Sequence, residues 1–83
     1  MEPISNRQIH TLIANGLENA DISVEGDGYK YQVNVISDEF NDKSTLQRHK
    51  LVYALLQEPI AAGQLHALTI KTYTRAEWEK TNS

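Results

Sequence analysis

Apolar residues recur along this chain first at helical and then at strand spacing, and each change of period marks an element boundary. From about Ser5 to Glu18, Ile9, Leu12, Ile13 and Leu17 share one helical face, with Ser5 or Asn6 placed to cap the N-terminus. Gly16 weakens that helix by up to ~1 kcal/mol relative to Ala, which marks close packing or an early end. Asp21 to Glu25 then alternates through Ile22 and Val24, Gly26-Asp27-Gly28 supplies turn residues, and Tyr29 to Ser37 alternates through Tyr29, Tyr31, Val33 and Val35. Two alternating runs around a glycine-rich turn predict a β-hairpin with one half-buried face.

After the polar stretch Ser37-Asp38-Glu39-Phe40-Asn41-Asp42-Lys43, Ser44 can cap a second helix whose stripe runs Leu46, His49, Val52/Tyr53 and Leu56. Pro59 stops or kinks it, because proline lacks the N–H and crowds the preceding turn. Ile60-Ala61-Ala62-Gly63 reads as one further helical turn closed by Gly63 in the left-handed conformation. A third strand spans roughly His66 to Tyr73, with His66, Leu68, Ile70 and Thr72 on one face and Ala67, Thr69, Lys71 and Tyr73 on the other. Thr74-x-x-Glu77 fits a capping box that opens a final short helix presenting Trp78, and Lys80 to Ser83 reads as a frayed tail.

The predicted order is α-β-β-α-β-α, an α+β fold in which one mixed three-stranded sheet is packed with helices. Eighty-three residues, 40% of them hydrophobic, supply one small core over a single domain and leave no room for a large catalytic cleft. A net charge of −3 and a pI near 5.5 argue against nucleic-acid binding through overall charge and leave only a local basic patch open. Without cysteine the chain has no disulfide, no thiolate nucleophile and no thiolate with which to hold an iron–sulfur cluster by itself. The N-terminal segment lacks the basic start and apolar run of a secretory signal, and no run approaches membrane-spanning length. A cytoplasmic protein with no membrane partner is expected.

Three histidines are the candidate chemistry. His66 stands at the entrance of the third strand, where it is either a rim histidine hydrogen-bonded to backbone or a metal ligand, since neutral imidazole binds iron, zinc or copper. His49 falls on the apolar stripe of the second helix, where a partly buried structural role is the default, and His10 reads as a surface residue. Arg48 and Lys50, on more exposed faces of the same helix, form with Lys43 a small positive cluster able to meet phosphates or merely to solvate the helix. Tyr73 and Trp78 close the core edge. Gly26-Asp27-Gly28 is too short for a phosphate loop, and it opens a strand. No Gly-x-x-Gly precedes the second helix, and no Ser/His/Asp set or His-x-x-x-His pair occurs, so no enzyme is expected.

Phe40-x-x-Lys43-x-x-x-x-Arg48-His49-x-x-Val52-Tyr53 and Leu65-His66-Ala67-Leu68-x-Ile70-x-Thr72-x-Thr74-x-x-Glu77-Trp78 resemble the two signature blocks of the BolA family. The resemblance covers most of the chain and implies a class II KH-like fold. It also implies a monothiol glutaredoxin as heterodimeric partner, with a [2Fe–2S] cluster shared between glutaredoxin cysteine, glutathione and a histidine that is His66 by position. Many family members carry a second Cys or His in the loop between the first two strands. Here that loop, Gly26-Asp27-Gly28-Tyr29-Lys30, has neither, which resembles the short, IbaG-like bacterial branch in length and leaves Asp27 or His49 as candidate second ligands. Carboxylate is a poor match for a sulfur-rich iron site. Other family members are described as DNA-binding transcriptional regulators linked to stress and cell shape, a role for which Lys43, Arg48, Lys50 and Lys71 would be the contacts.

Overall fold

A computed structural model describes residues 3–82. The elements are α1 (Asn6–Gly16), β1 (Asp21–Gly26), β2 (Lys30–Ile36), a 3-10 turn (Asp38–Phe40), α2 (Thr45–Leu55), α3 (Gln57–Ala61), β3 (Ala67–Tyr73) and α4 (Arg75–Asn82).

The helix starts are local events. Ser5 Oγ accepts the Gln8 N–H at 3.1 Å while Gln8 Oε1 accepts the Ser5 N–H at 3.0 Å, and Ser44 and Gln47 repeat the exchange at the head of α2. Thr74 and Glu77 form the third such box at α4. α1 ends at Gly16, short of Glu18, because Leu17 turns to extended backbone and buries its side chain in the core. Gly16 lies where α1 meets α2: a Cβ there would collide with the Leu55 side chain.

α3 begins earlier than the Ile60 turn that the sequence predicts. Pro59 lies in its first turn, where a missing N–H costs nothing, so the proline separates α2 from α3 without ending helical structure. Gly63 closes the segment at φ +75°. At the other end, α4 runs on to Asn82 where a frayed tail is expected from Lys80; Ser83 lies outside the described residues.

The sheet order is β1-β2-β3, antiparallel between β1 and β2 and parallel between β2 and β3. Register aligns the inward side chains into rows: Val24 beside Val33 beside Ile70, and Ile22 beside Val35 beside Thr72. Helices α1 and α2 cover this inner face with Ile9, Ile13, Val52 and Leu56, all fully buried. On the outer face Ser23, Glu25, Gln32, Thr69 and Lys71 stay exposed. Tyr73 and Trp78 close one end of that face edge to face, their ring centroids 5.2 Å apart.

Two core assignments differ from the sequence pattern. Phe40, alone among polar neighbours, is fully buried, carried inward by the 3-10 turn that the Ser37 hydroxyl caps. On α2 Val52 is buried, Leu51 and Leu55 are partly buried, and Leu56 is buried at the C-cap, whereas Leu46, expected inside, is 64% exposed and Tyr53 is also exposed. Apolar residues occur around much of this helix, so periodicity alone admits more than one buried face.

Candidate functional site

His66 is held by what flanks it. On one side Leu65 is buried, the Gln64 N–H donates to the Pro59 carbonyl at 2.9 Å, and the Gln64 carbonyl accepts the Ile4 N–H at 3.2 Å. On the other side the Ala67 N–H reaches the Tyr29 carbonyl at 3.4 Å. Lys30 pairs with Ala67 at the head of the parallel ladder, so Tyr29 and His66 stand side by side one step before the first pair. Their rings stack, with centroids 5.9 Å apart and planes 26° from parallel. Among the described residues the imidazole makes no hydrogen bond, so it is not the backbone-bonded rim histidine that the sequence left open. It is exposed, and one ring face lies against Tyr29.

Asp27 belongs to the same corner but serves the turn. Its Oδ1 accepts the Tyr29 N–H at 2.9 Å and the Lys30 N–H at 2.8 Å. These bonds, the one from Lys30 first and that from Tyr29 second, hold its carboxyl below the usual carboxylate range. His49 is not brought near His66. It follows Arg48 on α2, and Arg48 contacts Glu77 beyond the C-terminal end of β3. His66 precedes the N-terminal end of the same strand, roughly 20 Å away at ~3.3 Å per residue.

The four basic residues do not make one patch. Arg48, expected on an exposed face, has only 12% of its side chain exposed. It donates to both carboxylate oxygens of Glu77 at 2.7 and 3.3 Å, and through Nε to the Lys43 carbonyl at 3.0 Å. Its guanidinium carbon sits 5.7 Å from the centre of the Phe40 ring. Lys43 Nζ donates to the Glu39 carbonyl at 2.7 Å. Lys50 and Lys71 are exposed, but Lys50 rides on the helix layer and Lys71 on the opposite, open face of the sheet.

Among the described residues no group of three or more His, Cys, Asp or Glu side chains is placed to hold a metal ion. His66 is one exposed imidazole, so these residues would not by themselves complete a metal's ligand set. No helix of the described residues is long and apolar enough to cross a membrane. Tyr29 is the part of this site that pattern reading missed. The signal was parity: Tyr29 precedes Tyr31 by two, and His66 precedes Leu68 by two, on strands whose parallel pairing aligns them.

The family model for BolA-like proteins matches residues 13–77. The Escherichia coli K12 acid stress protein IbaG is 35% identical over 77 residues, covering 93% of this chain and 92% of that one. A BolA homologue from Coxiella burnetii superposes with a TM-score of 0.80 at 35% identity, over 92% of this chain and 97% of the other. The BolA domain of SufE1 from Arabidopsis thaliana gives a TM-score of 0.77 at 31% identity, over 87% and 93%.

Proposed function

This chain belongs to the BolA family, and on that premise we propose that it is a heterodimeric partner and regulator of monothiol glutaredoxins. In the proposed complex His66 supplies one ligand to a [2Fe–2S] cluster that is otherwise held by glutaredoxin cysteine and glutathione. The observation that carries the reading is the exposed imidazole fixed at the mouth of β3, free of internal hydrogen bonds among the described residues.

Imidazole in place of thiolate leaves the bound cluster less negative and raises its potential, as in Rieske centres. This chain's contribution is to present a pre-placed nitrogen at the end of a paired strand, so that little ordering is left for the moment of association. With no thiolate of its own, the chain would depend on the partner for the sulfur ligands of the cluster, which suits sensing or regulation more than catalysis. The acid-stress name of the E. coli relative supports a stress-linked role. Direct contact with DNA has less support, since Arg48 and Lys43 are engaged within the fold and Lys50 and Lys71 face different ways.

The test is titration into a cluster-loaded monothiol glutaredoxin with glutathione, followed by visible absorbance and circular dichroism. A new spectrum that is lost in His66→Ala is the expected result; an identical spectrum from the variant would overturn the ligand assignment.

A further inference from the structure

We infer that Tyr29 is the positioning residue for His66, and that Asp27 acts through Tyr29 by clamping the turn that carries it. The inference rests on the proposal that His66 is a metal ligand. The geometry runs in series. Asp27 Oδ1 takes the N–H groups of Tyr29 and Lys30, which sets the path of the chain into β2. The Tyr29 carbonyl then receives the Ala67 N–H, which sets the main chain beside His66. Finally the Tyr29 ring lies against the imidazole at 5.9 Å, within the range of an offset aromatic stack.

A large aromatic residue that is 62% exposed contributes little to the core. Its ring lies against one face of the imidazole, which is otherwise exposed. Contact with a ring removes rotamers in which His66 would swing into that space, and ordering a side chain before binding removes that cost from the binding step.

The readout uses the free chain, with zinc alone as probe and the imidazole C–H resonances of all three histidines followed by NMR. The Tyr29 ring current should displace the His66 resonances. Tyr29→Ala should abolish that displacement and raise the zinc concentration for half-saturation of His66 roughly two- to tenfold, with His10 and His49 unchanged as internal references. Tyr29→Phe should retain both properties, and Asp27→Ala should move both in the same direction as Tyr29→Ala. Unchanged His66 resonances and zinc response in Tyr29→Ala would overturn the inference, as would a Tyr29→Phe variant that behaves like Ala. Failure of the cluster reading is separate: it shows as an unchanged mixed-complex spectrum in His66→Ala, whatever the zinc titration of the free chain reports.

Discussion

Arg48 and Glu77, 29 residues apart, meet in a two-pronged ion pair with contacts of 2.7 and 3.3 Å that ties the start of α2 to the start of α4. The same Glu77 oxygen that takes the shorter contact also accepts the Thr74 N–H at 2.8 Å, so one carboxylate both caps a helix and anchors it. Replacing Arg48 by Ala therefore removes the anchor and also the guanidinium lying over the Phe40 ring. The expected outcome is faster amide exchange through α4 and a lower melting temperature, with the sheet amides less affected. Equal protection of α4 in the variant and the parent would contradict this.

The pair also fixes a pH dependence. The Arg48 hydrogen bonds first, and the Thr74 N–H second, hold the Glu77 carboxyl down at about 2, against an ordinary value of 4.5. A carboxylate whose folded pKa is depressed contributes stability that is complete above its unfolded value and lost as pH falls through the folded one. The gap in urea midpoint between the parent and Glu77→Gln should stay constant from neutral pH down to about 5 and close between about 4.5 and 2. A gap that widens on acidification would have the wrong sign.

Phe40 has no exposed surface and sits in the core beneath the Arg48 guanidinium. Phe40→Ala should cost roughly 3–5 kcal/mol, a large share of the stability of so small a domain. Chemical denaturation measures it directly, and a loss under about 1 kcal/mol would mean that the surrounding side chains collapse into the space.

Tyr31 is buried, and its hydroxyl donates to the Ile4 carbonyl at 2.6 Å, closing the segment before α1 against the sheet. Tyr31→Phe keeps the ring and leaves that carbonyl unpaired, at a cost of about 1–3 kcal/mol. The Ile4 and Ser5 amides should lose exchange protection before those of β2 do.

His66→Ala makes the opposite kind of variant. Because the residue is exposed and has no hydrogen bond among the described residues, its loss should change stability by no more than about 0.5 kcal/mol, while the mixed-complex spectrum disappears. A variant that unfolds would assign His66 a structural part instead.

Local physics was legible in the order of residues. Ser5-x-x-Gln8, Ser44-x-x-Gln47 and Thr74-x-x-Glu77 start their helices through side-chain bonds three residues long, Gly63 ends one, and the alternation through Val33 and Ile70 marks strands. Those signals lie within a few residues of the structure they specify, so the element order and the α+β class follow from them, and His66 could be singled out at the start of β3.

What joins distant residues was decided only by the tertiary structure. The parallel pairing of β2 with β3 sets Tyr29 against His66, and the arrival of Glu77 turns Arg48 from an apparent surface cation into an internal tie. Phe40 is drawn inward because the core beneath Arg48 has room for a ring, which no neighbour in sequence reports. Burial and pairing energies depend on what each side chain meets across the fold, and that is a property of three-dimensional contact that local spacing does not carry.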